Sequence, residues 1–114
     1  MENWITICQA EDLVPNVGVC ALVGGEQVAI FSCQRSGQLY AVSNFDPIGE
    51  ANVMSRGMMG SLGGEPYVAS PLYKQHFHLL SGECLEDAQY RLKTYPVRQQ
   101  DGVVQVLASL ANAA

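Results

Sequence analysis

The sequence predicts an all-β fold, an antiparallel sandwich or small barrel. Three observations predict it. Turn pairs recur at short spacing, at Gly24-Gly25, Gly63-Gly64 and Asp101-Gly102, as hairpins require. The segments between them are short and rich in Val, Ile, Tyr and Phe, which suit a pleated, half-buried surface. No stretch carries the 3.6-residue apolar period of a long helix, and no internal repeat is present.

Residues 4–8 alternate in character and read as an opening strand. Glu11-Asp12-Leu13-Val14-Pro15 reads as a turn or a single helical turn ended by the proline. Residues 18–23 and 27–31 are the clearest strands, and a two-residue loop at Gly24-Gly25 sets Val23 opposite Glu26 and Cys20 opposite Ala29. Both faces of this hairpin look apolar (Val19 with Ile30, Ala21 with Val28, Leu22 with Phe31), so it is expected to be covered on both sides. A strand over 38–43 follows the turn at 34–37. Residues 47–57 have little alternation and read as a loop with one helical turn. A second hairpin pairs 58–62 with 65–69. Ser70-Pro71 then breaks the strand, because proline removes a ladder donor. A strand over 75–80 follows, and 91–98 with 102–107 form a closing hairpin. Residues 1–107 are read as one domain, and the alanine-rich 108–114 as a tail, frayed or disordered.

The chain has 114 residues and a formal net charge of −5. That acidity argues against nucleic acid and anionic membranes as partners. No apolar run reaches signal-peptide or membrane-spanning length, so a cytoplasmic location is expected. The four cysteines, Cys8, Cys20, Cys33 and Cys84, show no zinc spacing. The hairpin register keeps Cys20 and Cys33 apart. Buried free thiols are expected for all four.

The stretch 68–87, VASPLYKQHFHLLSGECLED, goes from strand to a break at Ser70-Pro71. It continues as alternating His76-Phe77-His78-Leu79, a Ser81-Gly82 turn and an acidic run. Upstream, AVSNFDP is followed by a Ser55-Arg56-Gly57 turn. This frame resembles the two cluster-binding loops of Rieske-type iron–sulfur domains, a Cys-x-His loop followed by a Cys-Pro-x-His loop. The resemblance runs from Trp4 to Val106 and includes the closing TYPVR…DGV segment. It implies a base of antiparallel strands carrying a small loop subdomain.

The ligands do not match. Asn44 and Asp46 stand where the family has its first Cys and His, and Ser70 and Tyr73 where it has the second pair. A Rieske cluster needs two thiolates on one iron and two imidazoles on the other. Amide, carboxylate, hydroxyl and phenol are hard donors that do not replace them. Within the family, small subunits of cytoplasmic NAD(P)H-dependent nitrite reductases have this size and this loss of ligands. GVCALVGGEQVAIF and the loop stretches resemble theirs. That resemblance implies a large partner subunit carrying FAD, sirohaem and an iron–sulfur cluster, which reduces nitrite to ammonium. It implies a non-catalytic chain with no cofactor of its own.

Asn44 and Asp46-Pro47 read as turn residues bonding nearby backbone donors, since two oxygen donors make a poor metal cage. The Tyr73 ring is expected to fill the space of the missing cluster. His76 and His78 share one strand face and are the remaining zinc or copper candidates, although no cysteine or carboxylate sits at obvious ligand spacing. Met54, Met58 and Met59 offer either a soft contact surface or core filling. One of Met58 and Met59 is expected to be the more exposed. Arg56, Lys74 and Arg91 read as solvated surface. The expected partner contacts are Phe45, Pro71, Leu72, Lys74, His76 and His78, from the two loops at one end of the scaffold. Two alternatives remain: an electron carrier with an atypical cluster, and a stand-alone metal-binding module using His76 and His78.

Overall fold

The computed structural model describes residues 3–107; the alanine-rich tail singled out above lies outside them. Strand β1 (Trp4–Gln9) leads through a 3₁₀ turn (Ala10–Asp12) to the hairpin of β2 (Val19–Val23) and β3 (Glu26–Ser32). Then come β4 (Leu39–Ser43), the short β5 (Phe45–Asp46) and β6 (Ala51–Asn52), and a second 3₁₀ turn (Met54–Arg56). A further hairpin, β7 (Met58–Leu62) with β8 (Glu65–Ala69), precedes β9 (His76–His78). The chain closes with β10 (Thr94–Tyr95), β11 (Val97–Gln100) and β12 (Val103–Leu107).

The strands form antiparallel sheets in the orders β1-β12-β11, β10-β4-β3-β2, β5-β6 and β7-β8-β9. The four-stranded sheet is the middle layer. Along β3 the buried side chains alternate: Val28 and Ile30 pack with Val104, Val106 and Tyr95, whereas Ala29 and Phe31 pack with Met54, Val68 and Phe77. One face therefore meets the terminal sheet. The other meets the loop region and the β7-β8-β9 sheet. A strand buried on both faces shows no polar alternation, which is why its sequence reads as a continuous apolar run.

The Gly24-Gly25 hairpin has the expected register, with Val23 opposite Glu26 and Cys20 opposite Ala29. Leu22 departs from expectation. It sits opposite Gln27, as that register requires, but is 69% exposed instead of covered. Phe31 pairs across with Tyr40 of β4. β3 is covered on both sides, but β2 is the sheet edge and keeps one face open. The expected 91–98 strand is also split. Thr94 and Tyr95 pair with β4 in the middle sheet, while Val97 onward pairs with β12 in the terminal sheet. Pro96 lies between and has no amide to continue either ladder. The 75–80 strand is shorter than expected, because the Gly82 amide turns back to the His78 carbonyl at 2.8 Å.

Within the middle sheet, a polar contact ties β10 to β3 across β4. The Tyr95 hydroxyl donates to Glu26 Oε1 at 2.7 Å, and Lys93 Nζ reaches the same oxygen at 2.9 Å. Burial, and then the Glu26 carboxylate, push the Tyr95 phenol well above its ordinary range. Tyr95→Phe is expected to cost about 1.5 kcal/mol in urea melts at pH 7, the low end of the net worth of a hydrogen bond to a charged group, because Glu26 keeps Lys93. A folded-state pKa above the unfolded one means that this contribution is complete below about pH 10 and is lost as pH rises further. The difference between wild type and Tyr95→Phe should therefore shrink between pH 9.5 and 11. A difference that stays constant would show that the phenol is not the titrating group. Among the described residues, no helix is long and apolar enough to cross a membrane.

Candidate functional site

Two loops meet on the side of the middle sheet away from the terminal sheet. The first leaves β4 at Asn44. Its backbone is held by the Asn44 amide on the Gln27 carbonyl at 2.9 Å and by the Met54 amide on the Asn44 carbonyl at 3.0 Å. The second leaves β8 at Ser70 and closes on itself through Ser70 N–H to Gln75 C=O, 2.9 Å, and Lys74 N–H to Ser70 C=O, 3.1 Å. Lys74 takes a left-handed conformation, φ 67°, to make that turn.

Asn44, Asp46 and Ser70 are all buried polar residues. The Asn44 side chain is fully engaged: Oδ1 accepts from the Ser55 amide at 2.7 Å, and Nδ2 donates to Gln27 Oε1 at 3.0 Å and Cys20 Sγ at 3.4 Å. Asp46 Oδ1 accepts from the amides of Ile48 and Gly49 at 2.8 and 3.1 Å. Its Oδ2 accepts from the Ser70 hydroxyl at 2.5 Å, and Ser70 Oγ accepts in turn from the Leu72 amide at 3.2 Å. A carboxylate with no exposed surface is tolerable only when its oxygens are this well supplied with donors. The Asp46–Ser70 bond pins one loop to the other.

This donor set does not fit a [2Fe–2S] group. The atoms that converge are an amide, a carboxylate and a hydroxyl, each committed to a protein hydrogen bond. The single thiol beside them, Cys20, is used by Asn44, whereas the cluster needs paired thiolates and imidazoles. Among the described residues, no group of three or more His, Cys, Asp and Glu side chains could hold a metal ion.

Tyr73 is not brought into the site. It is 63% exposed, so its ring does not fill the space between the loops, as the sequence suggested. The inner space is closed instead by the small Ser70 and Asp46, and the turn that Lys74 completes points Tyr73 outward. Leu72 lies over Gly49, where a Cβ would collide with its side chain. Phe45 at 43%, Leu72 at 44% and Tyr73 are exposed apolar side chains, with Pro71 half-buried beside them.

His76 and His78 lie on one face of β9, opposite Ala69 and Tyr67. Each has its own carboxylate, contrary to the spacing argument that found none. His76 Nδ1 is 2.6 Å from Glu86 Oε2, and its ring stands edge-on to Tyr67 at 4.7 Å. His78 Nδ1 is 3.7 Å from Glu65 Oε1. Burial opposes ionisation of Glu86, but the His76 amide and ring outweigh it and hold the carboxyl below its ordinary range. The fold brings Glu86 over because Phe77 bridges Cys84, a pairing that the acidic run in the sequence did not reveal.

Met54 belongs to the core and not to a contact surface, while Met58 is exposed and Met59 packs partly on the core. Arg91 is an exposed residue 3.6 Å from Glu83. The four cysteines are free, and Cys84 is buried. Cys20 is exposed, because it lies on the open face of the edge strand β2.

Residues 3–107 match the family described as Rieske-like [2Fe-2S] domain. The nitrite reductase (NADH) small subunit of Salmonella typhimurium is 53% identical over 106 residues, covering 93% of this chain and 98% of that protein. The solution structure of the Escherichia coli protein NirD superposes with a TM-score of 0.87 at 50% identity, covering 96% of this chain and 99% of that one. The Klebsiella oxytoca nitrite reductase [NAD(P)H] large subunit is 39% identical over 103 residues, which are 90% of this chain but 11% of that protein. The chain belongs to the Rieske-like [2Fe-2S] domain family and, within it, to the nitrite reductase (NADH) small subunits.

Proposed function

We propose that this chain is the non-catalytic small subunit of a cytoplasmic NAD(P)H-dependent nitrite reductase, and that it supports nitrite reduction by docking on the large subunit. The observation that carries the reading is the Asp46–Ser70 bond. Where the family resemblance puts cluster ligands, this chain has a closed hydrogen-bonded joint, suited to rigidity rather than redox chemistry. The Klebsiella match supports the choice of partner, since there a segment like this chain lies within a protein named as the large subunit. On this reading FAD, sirohaem and the iron–sulfur cluster reside on the large subunit.

The two loops form the docking end. Phe45, Leu72 and Tyr73 are exposed aromatic and aliphatic side chains on loops that are themselves pinned. Pro71 and Lys74 flank them, with His76 and His78 behind. Interface centres are rich in such side chains and poor in charge, and a rigid loop loses little entropy on binding.

The test is nitrite-dependent NADH oxidation by the large subunit, with and without this chain, together with iron and labile-sulfide assays of the chain after anaerobic reconstitution. The expected result is activity that requires or rises with a colourless, iron-free chain. Stoichiometric iron and sulfide would favour an electron carrier. Stoichiometric zinc or copper lost on changing His76 and His78 to alanine would favour a metal module. Absence of any association would remove the subunit reading and leave the fold.

A further inference from the structure

A cavity of about 420 Å³ lies between the turn that joins β3 to β4 and the β7–β8 hairpin. It does not touch the two loops, and its reading is independent of the subunit reading. Its lining is apolar at Met59, Pro66 and Tyr40 and polar at Arg35, Ser36 and Ser61. No Asp or Glu is among the residues that line it, although the chain has 11 acidic residues against 6 basic ones.

Arg35 is the cation of this cavity. Among the described residues it makes no ion pair, and its guanidinium reaches across to Ser61 Oγ at a long 3.5 Å. A guanidinium carries five donors in a planar fork that matches carboxylate and phosphate, so most of this one's donors remain available. The turn that presents it is well fixed. The Gly37 amide bonds the Cys33 carbonyl at 2.8 Å, the Cys33 amide bonds the Gln38 carbonyl at 2.9 Å, and the Gln34 amide bonds Asn16 Oδ1 at 3.1 Å. Cys33 also lines the cavity, where hydrogen bonds from Ser36, and further Arg35, hold its thiol below the ordinary range. That response of a neighbouring group is what an anion entering the cavity would share.

We propose that this cavity is a binding site for a small organic anion, an apolar ring-sized body bearing one carboxylate or phosphate that Arg35 receives. The volume is within the range of small-molecule sites. The apolar lining of Met59 and Pro66 takes the body, and the cationic rim selects the charge.

The test uses the full-length chain, isotope-labelled, titrated with benzoate, phenyl phosphate, neutral benzamide and inorganic phosphate while backbone amide shifts are followed. Benzoate or phenyl phosphate should move the amides of Arg35, Ser36, Ser61 and Gly64 as a group. Arg35→Gln, a change on an exposed turn, should weaken that binding at least tenfold with the rest of the spectrum unchanged. A second readout is alkylation. Iodoacetate, an anion, should gain on neutral iodoacetamide at Cys33 relative to exposed Cys20, and Arg35→Gln should remove the gain. Equal shifts from benzamide or from inorganic phosphate would overturn the proposal, as would an Arg35→Gln variant that binds and alkylates like the wild type.

Discussion

Asp46→Ala is expected to lower the unfolding free energy by about 3 kcal/mol, since each buried group left without a partner costs about 1–3 kcal/mol and neighbouring losses do not add fully. For a chain of this size that is a fall in Tm of roughly 10–20 °C. Three donors lose their acceptor at once: the Ser70 hydroxyl and the amides of Ile48 and Gly49. The Ser70 hydroxyl has no ready access to water, because Asp46 has no exposed surface and Ser70 is buried. Asp46→Asn keeps an acceptor for the two amides and can donate to Ser70, so it should cost less, about 1 kcal/mol. Ser70→Ala leaves one carboxylate oxygen and the Leu72 amide short and should fall between the two. Tyr73→Ala, by contrast, removes an exposed side chain and should stay within about 0.5 kcal/mol. Urea melts of the four variants decide the matter. An Asp46→Ala change below 1 kcal/mol would mean that the joint between the loops is not what holds them.

That ordering also shows what the sequence could and could not convey. The Gly24-Gly25 and Gly63-Gly64 hairpins were legible to the residue, because a two-residue loop with positive φ at both positions permits one register only. The middle strand was legible as doubly buried, because β3 has no polar face to offer. Failures occurred where the outcome depends on a third element. Leu22 resembles its neighbours in composition, but no sheet covers that face of β2. The segment around Pro96 looked like one strand, and only the tertiary arrangement assigns its halves to two sheets.

The loop positions show the same division. The hydrogen-bonding turn at Asp46 follows from local chemistry, since it bonds amides two and three residues on, but the same expectation fails at Asn44. The partners of Asn44 are remote in sequence, at Cys20, Gln27 and Ser55, and no local rule names them. Tyr73 was misplaced for the opposite reason. A large ring was assumed to fill a vacancy, but a hydrogen bond between two small side chains had already closed it.

The double variant Leu72→Ala, Tyr73→Ala is expected to weaken association with the large subunit by about 2–4 kcal/mol, a loss of roughly 30- to 1000-fold in affinity, if these side chains form the centre of the interface. Both are exposed in the isolated chain, so their removal should leave its own stability within about 0.5 kcal/mol. Exposed apolar groups on a fixed loop gain the full benefit of burial when a partner covers them. Phe45→Ala should act in the same direction, since it is carried by the other side of the Asp46–Ser70 joint. Met58 provides the control, as it is more exposed than any of them at 77% but lies on β7, outside the two loops. Met58→Ala should bind as the wild type does. Asp46→Ala adds a second discrimination. It touches no partner, so it should reduce affinity only by loosening the loops, and less at low temperature, where its fold remains intact. Equilibrium binding of the five chains to one preparation of large subunit separates these cases. Loss of affinity in Met58→Ala, with none in the double variant, would place the contact on the β7 edge and leave the loop end free.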